Sequence, residues 1–412
     1  MLIDFQIQNY RSFKNETDFS MEKGNNVRKY PTNILEVGKQ KLLKSAVLFG
    51  GNANGKTNLL SALNLMRFLV VQPTQNEQQR LPVDTFGYNL ENTSLNIKFI
   101  KMGRVFDYRL IYNANEFVFE KLVIDNKLFF ERDHRTFVKL PRQLEVVKTN
   151  IRKNQNLLFF AQANNVFEAT IAFDWFLENL VIVKTDQIPN VLFKALLDDA
   201  FKHKFLKFLR AADFNIIDVE VKEKAWSGVK LDFSTTRNTN TDDEFGVVYD
   251  VYSTHKAEDS TFEVNFAQES SGTQVFMFLA LFILHNENAG KVLLIDEFDR
   301  SFHLELAQAL LDVFHDARQT NQFILTTHEL ALMDYKLRQD QIWFAEKNEF
   351  GESELYSIYD FDDDALTRSD FGYKRRYIEG KFGASQIINK SVLLEVLGEF
   401  DGTETEVQKR KE

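Results

Sequence analysis

Residues 50–57 read Gly50-Gly51-Asn52-Ala53-Asn54-Gly55-Lys56-Thr57. The apolar run Ala46-Val47-Leu48-Phe49 leads into them, and Leu59, Leu60, Leu63 and Met66 follow at helical spacing. A short buried strand therefore enters the stretch and an amphipathic helix leaves it. Gly50 and Gly55 let successive backbone N–H groups curl around an anion, Lys56 adds a point charge toward terminal phosphates, and Thr57 offers a hydroxyl to a magnesium ion. A glycine-rich turn followed by a chance Lys-Thr explains the same letters without chemistry. The strand before and the helix after favour a phosphate-binding loop, with Asn52, Asn54 and Asn58 as further candidate nucleotide contacts.

The rest of the composition narrows the field. A chain of 412 residues with 44% hydrophobic content can bury a large core. The formal charge of -10 and pI near 5.4 supply no global field toward nucleic acid, so DNA contact needs a local patch or a partner. With no cysteine, disulfides and thiolate metal sites are excluded, which fits a reducing cytosol. The longest apolar run, Val275 to Leu284, is far shorter than the ~20 residues a bilayer span needs. Met1-Leu2-Ile3-Asp4-Phe5 lacks the basic and apolar regions of a signal peptide. The expectation is a cytoplasmic protein without a membrane partner.

Alternation of apolar and polar residues predicts a strand, a loop and a second strand over residues 2–21, the loop carrying Arg11 where it can face a nucleotide. The phosphate-loop helix is expected to fade near Val71 and stop by Pro73. Leu95 to Ile100, Val105 to Tyr112, Phe117 to Ile124 and Leu128 to Glu131 are rich in β-branched and aromatic residues and separated by turn residues, which predicts an antiparallel meander. Helical periodicity marks Phe167 to Leu180 and Val191 to Leu209. Strand character returns at Ile216 to Val221, Val229 to Phe233, Val247 to Tyr252 and Phe262 to Phe266, with a loop from Ser234 to Glu244. Three basic stretches, around Lys139 to Lys153, Lys202 to Arg210 and Lys374 to Lys381, read as solvated faces. Beyond Gln274 a helix, the strand Val292 to Ile295, a helix from Leu304 to Ala317 and the strand Phe323 to Thr326 alternate as in a parallel α/β sheet.

The remaining chemistry sits at strand ends. Asp296 closes an all-apolar strand, where parallel sheets present ligand-binding side chains, and can hold magnesium opposite Thr57. Glu297 is placed to polarise a water for attack on a γ-phosphate. His328, at the end of the next strand, can hydrogen-bond the same phosphate. Ser270-Ser271-Gly272-Thr273-Gln274 opens a helix, where hydroxyls, free N–H groups and the helix dipole meet; taken alone, the segment is better read as a plain serine N-cap.

In this order, the four motifs resemble the ATP-binding-cassette (ABC) ATPases, most closely their SMC/RecF/OLD-like branch. Ile7-Gln8-Asn9-Tyr10-Arg11-Ser12-Phe13 is similar to that branch's N-terminal strand and turn. Asp296-Glu297-Phe298-Asp299-Arg300-Ser301-Phe302-His303 and Thr326-Thr327-His328-Glu329 resemble stand-alone bacterial ATPases of the RloA/abortive-infection type. The resemblance implies an α/β P-loop NTPase, an ABC head with a mixed parallel core sheet, an antiparallel β lobe and a helical and β insert in place of a coiled coil. It implies residues 1–162 and 269–345 as the two parts of the head, 163–268 as the insert, and 346–412 as an extension with a flexible tail from about 400.

The same resemblance implies ATP and Mg2+ as cofactors. Lys56 and Thr57 then bind phosphate and metal, Asp296 is the Walker B magnesium residue, Glu297 the base and His328 the switch histidine. Gln162 takes the Q-loop position, touching nucleotide and metal, and Ser271, Gly272 and Gln274 form a signature that reaches a second protomer's ATP. Thr273 departs from the usual second signature glycine, and His303 stands where transporters carry the D-loop aspartate. The implied protein is an ATP-hydrolysing homodimer, or a higher even-numbered oligomer, that controls a separately encoded effector, a nuclease or RloB-like protein, in phage defence. No nuclease site is evident, and the acidic run Asp360 to Asp364 reads as a solvated loop. Two rivals are a RecF-like repair ATPase binding DNA across the dimer and a scaffold that ATP closes without hydrolysis.

Overall fold

The computed structural model describes residues 1–145, 147–183, 188–212, 214–225, 247–287, 289–298, 302–361 and 372–383. The chain opens with strands β1 (Leu2–Gln8) and β2 (Thr17–Ser20), the hairpin β3 (Ile34–Val37) and β4 (Gln40–Leu43), and the buried strand β5 (Ser45–Phe49), which feeds helix α1 (Lys56–Val71). Next come β6 (Thr93–Lys101), β7 (Arg104–Tyr112), β8 (Phe117–Ile124), β9 (Lys127–Asp133) and β10 (Thr136–Lys139). Helices α2 (Val147–Asn150), α3 (Leu157–Ala163) and α4 (Phe167–Asp174) lead to β11 (Leu180–Ile182). Helices α5 (Asn190–Lys194) and α6 (Asp199–Ala211) precede β12 (Ile216–Ala225), β13 (Val247–Lys256) and β14 (Thr261–Asn265). The last part holds α7 (Ser271–His285), β15 (Val292–Ile295), α8 (Leu304–His315), β16 (Gln322–Thr326), β17 (Ile342–Lys347), β18 (Ser353–Ser357) and α9 (Tyr373–Ile378).

Six strands form the core sheet in the order β11-β15-β16-β5-β17-β18; every neighbouring pair is parallel except β17 and β18. Every residue of β5, β15 and β16 is buried, as expected of strands covered on both faces. Side chains alternate between two cores. Ala46 and Leu48 join α1 and the antiparallel strands on one face, while Val47 and Phe49 join α7 and α8 on the other. Strand β16 separates the phosphate-loop strand β5 from β15, so the end of β16 projects between the loop and the acidic pair. This is the mixed α/β P-loop NTPase fold expected from the sequence.

The antiparallel lobe has seven strands in the order β10-β9-β8-β7-β6-β1-β2. The expected meander is its centre, and β1 adds to it by pairing with β6, Phe5 opposite Ile97. Lys139 falls at the end of β10 and is exposed, as expected of a solvated face. Glu120, fully buried, accepts from Arg132 Nη2 at 2.8 Å, Tyr108 Oη at 2.7 Å and the N–H groups of Leu157 and Leu158 at 2.8 and 3.0 Å. The lobe thereby caps α3 with a carboxylate at its positive end. Burial of both charges is tolerated because each is paired and hydrogen-bonded.

Residues 163–183 belong structurally with the head: α4 joins the α1 core, and β11 pairs with β15, Val181 opposite Leu293. This moves our proposed start of the insert from 163 to beyond Ile182. Within the insert, the single helix expected over Val191 to Leu209 is broken, because Asp198 leaves the helix and accepts from the Phe201 N–H at 2.7 Å as an N-cap. The basic stretch near Lys374 is a second correction: on α9, Arg376, Tyr373 and Tyr377 are buried, and the Tyr377 ring stacks on Phe344 of β17 at 5.2–5.4 Å together with Phe382. The expected strand Val229 to Phe233, the loop Ser234 to Glu244, Asp299-Arg300-Ser301, Asp362 to Asp364 and the tail from about 400 lie outside the described residues. Among the described residues no helix is long and apolar enough to cross a membrane.

Candidate nucleotide and magnesium site

The loop leaving β5 turns through backbone angles that L side chains rarely adopt: φ is 146° at Gly50, 62° at Ala53 and 108° at Gly55. At Gly50 space is also decisive, since a β-carbon there would stand 2.4 Å from the Ala345 carbonyl oxygen on β17. At Gly55 it would meet Ser353 Oγ at 2.7 Å and Ser12 Oγ at 3.1 Å. The loop is thus walled by β17, β18 and the turn after β1. Lys56 is buried at the first position of α1, and its Nζ donates to the carbonyls of Gly50 and Gly51 at 2.8 and 3.0 Å, which holds the ammonium inside the loop.

At the far ends of β15 and β16 the structure brings together what the sequence separates. Thr57 Oγ1 donates to Asp296 Oδ1 at 3.0 Å, across 239 residues of chain. Thr326 Oγ1, on buried β16, donates to the same Oδ1 at 2.5 Å and accepts the Glu297 N–H at 2.7 Å. The Phe298 N–H adds a bond to the Thr326 carbonyl at 2.9 Å. These bonds hold Glu297 at φ 48°, a left-handed conformation that costs a glutamate on the order of 1–3 kcal/mol and is tolerated where the surroundings over-determine it. Asp296, Glu297, Thr57 and His328 are all exposed, beyond the carboxyl ends of the central strands β15, β5 and β16. Sequence reasoning missed Thr326; its only signal was a hydroxyl ending an apolar strand beside an acidic one.

The other expected residues make the following contacts. Asn54 Nδ2 donates to the Ala345 carbonyl at 3.2 Å, and Asn58 Nδ2 to Ser12 Oγ at 2.7 Å, so both amides brace the loop against its walls. Asn52 is exposed on the loop. Arg11, at φ 49°, donates from Nε to Asp84 at 2.7 Å and from Nη1 to Ser61 Oγ at 3.0 Å, which sets it beside the first turns of α1. Gln162 lies within α3, one residue before its end, instead of in a loop, and hydrogen-bonds to neither Thr57 nor Asp296. Gln274 Nε2 donates to the carbonyls of Phe266 and Glu269, at 3.0 and 3.2 Å. Ser270 is the N-cap of α7, accepting from the Thr273 N–H at 3.1 Å, which leaves Ser271 exposed and Gly272 half-buried in the first turn.

A family profile described as "AAA domain, putative AbiEii toxin, Type IV TA system" matches residues 45–334, from the phosphate-loop strand to just beyond His328. The chain belongs to this family. This AAA-domain chain is also similar to three solved structures. One is an SmcHead bound to the C-winged helix domain of ScpA (11% identity, TM-score 0.46, 86% of this chain and 97% of that one). The second is the SMC head domain from Thermotoga maritima (11%, 0.39, 86% and 98%). The third is an Smc head domain with an extended coiled coil bound to the C-terminal domain of ScpA derived from Pyrococcus furiosus (10%, 0.44, 86% and 96%). A search among curated proteins gave no match.

Membership in the AAA-domain family implies nucleotide binding with magnesium, and the donor set can be tested against that. Thr57 and Asp296 put a hydroxyl and a carboxylate oxygen 3.0 Å apart, exposed, beside a loop built for phosphate. Hard oxygen donors, few in number, suit magnesium that keeps water and phosphate oxygens as its other ligands. Among the described residues there is no group of three or more histidine, aspartate or glutamate side chains able to hold a metal by itself. The residues present therefore fit the ion family members use.

Proposed function

We propose that this AAA-domain protein is an ABC-type ATPase that hydrolyses ATP between two copies of the chain and serves as the ATPase subunit of a bacterial phage-defence system of the RloA/abortive-infection type. The observation that carries this reading is the node of Thr57, Asp296, Thr326 and Glu297, with bonds of 3.0, 2.5 and 2.7 Å. Backbone N–H groups of the loop and Lys56 bind the phosphates, while Thr57 and Asp296 hold magnesium. The ion, when bound, neutralises charge on the phosphate oxygens.

Glu297 takes a proton from the attacking water as its oxygen bonds to the γ-phosphorus. The bond from that phosphorus to the bridging oxygen breaks, and ADP leaves with the electron pair. His328 hydrogen-bonds the transferred group. Catalysis is then mostly positioning and charge neutralisation. Ser271 and Gly272 complete the site from the partner protomer, which makes turnover depend on dimerisation. The output goes to a separately encoded effector, a nuclease or RloB-like protein. The family description, "AAA domain, putative AbiEii toxin, Type IV TA system", supports the defence context. Phage plating on cells carrying the intact locus tests it: Lys56→Ala in this chain abolishes protection if the reading holds, and unchanged plating efficiency with that variant contradicts it.

A further inference from the structure

The insert between β11 and α7 ends in a three-stranded antiparallel sheet, β12-β13-β14, which leads directly into the segment bearing Ser271 and Gly272. Along β13 the residues Tyr249, Val251 and Ser253 alternate onto one buried face, and Ser253 Oγ reaches Met277 Sδ of α7 at 3.9 Å. His255 is the next residue on that face. There the apolar contact gives way to a polar one: His255 Nε2 stands 2.8 Å from Glu269 Oε1. The Glu269 side chain is 7% exposed and that of His255 16%. A carboxylate only accepts, so Nε2 carries the hydrogen. Phe262 of β14, paired with His255 in register, stacks its ring on the imidazole at 5.3 Å and 15°.

Glu269 is separated from Ser271 by one residue, the N-cap Ser270. Its carbonyl accepts from Gln274 Nε2, and the Phe266 carbonyl accepts from the same amide. The segment from Phe266 to Gln274 is therefore clasped twice, from within by Gln274 and from the insert by His255. We infer that His255 is a positioning residue for the signature segment, and that the insert sheet sets the geometry with which Ser271 and Gly272 meet a partner protomer's nucleotide. This gives the insert a task in ATP-dependent association of two copies. It rests on the proposal that these two residues act across a dimer.

The test uses the full chain carrying Glu297→Gln, so that bound ATP persists, with association followed by sedimentation velocity and binding by a fluorescent ATP analogue. Adding His255→Ala is expected to weaken ATP-dependent association about ten- to a hundredfold, the scale of a lost charge-assisted hydrogen bond, with analogue affinity and melting temperature close to the parent's. His255→Gln, whose amide can donate from nearly the same place, is expected to restore much of the loss. Association at the parent's level in His255→Ala overturns the inference, as does loss of analogue affinity and melting temperature in step with association. Ser271→Arg separates the two proposals. If it blocks association while His255→Ala does not, only the positioning role fails; if it associates normally, the dimer reading fails and takes this inference with it.

Discussion

The hydroxyl of Thr326 lies 2.5 Å from Asp296 Oδ1 and bonds the Glu297 N–H at 2.7 Å, so one buried side chain orients the carboxylate proposed to hold magnesium and fixes the backbone of the proposed base. Thr326→Val keeps shape and removes both bonds. It is expected to lower kcat by about tenfold or more while leaving the KM for ATP within a few-fold, because the lost interaction serves the transition state more than ground-state binding. Thr326→Ser, which keeps the oxygen, is expected to retain most of the rate. Equal turnover in the valine and serine variants contradicts this role.

Gly50 approaches β17 so closely that no side chain fits. Gly50→Ala must move the loop away from the Ala345 carbonyl, 2.4 Å from the added carbon, and must also adopt φ 146°. A stability loss of about 1–3 kcal/mol is expected, with weakened binding of a fluorescent ATP analogue. Thermal unfolding and analogue titration check it, and an unchanged melting temperature with unchanged affinity excludes the close approach.

Asp296→Asn keeps the size of the side chain and removes its charge. Magnesium affinity in the presence of nucleotide is expected to fall by at least about tenfold, the scale seen when metal-site carboxylate contacts are altered. Nucleotide itself still binds through Lys56 and the loop. A magnesium titration of hydrolysis reads the shift as a higher half-saturating concentration.

Behind the phosphate loop, at the start of β5, buried His315 bonds Ser45 Oγ through Nε2 at 2.8 Å. Burial, with the Lys44 charge second, holds its pKa down from 6.5 to about 3. The unfolded chain therefore takes up this proton first. The stability supplied by neutral His315 is present above about pH 6.5 and is lost as the pH falls toward about 3, by up to about 1.4 kcal/mol per pH unit. Denaturant unfolding of His315→Gln across that range is expected to show a shallower acid slope than the parent. An identical slope contradicts it.

The phosphate loop, β5, α1, β15 and β16 were legible because short all-apolar runs bounded by glycines and carboxylates have few other readings. The pairing of Thr57 with Asp296 was legible from the phosphate loop together with a carboxylate at the end of an apolar strand. Thr326 was illegible because the strand order that sets β16 between β15 and β5 is a tertiary fact. The amide contacts of Asn54 with the Ala345 carbonyl, of Asn58 with the Ser12 hydroxyl and of Gln274 with the Phe266 and Glu269 carbonyls were not legible, because each partner is brought near by the fold and not by the local sequence. The break at Asp198 shows local capping overriding apolar periodicity, and β11 needed its partner β15 to be recognised as part of the head.

Glu297, held at φ 48° beside Thr326 and the Thr57–Asp296 pair, is the proposed base of an ATPase. Steady-state ATP turnover of Glu297→Gln against the parent tests it most directly. The variant is expected to bind the ATP analogue as the parent does while hydrolysis falls by about 10²- to 10⁴-fold, the contribution typical of a general base. Hydrolysis at the parent's rate in Glu297→Gln contradicts it.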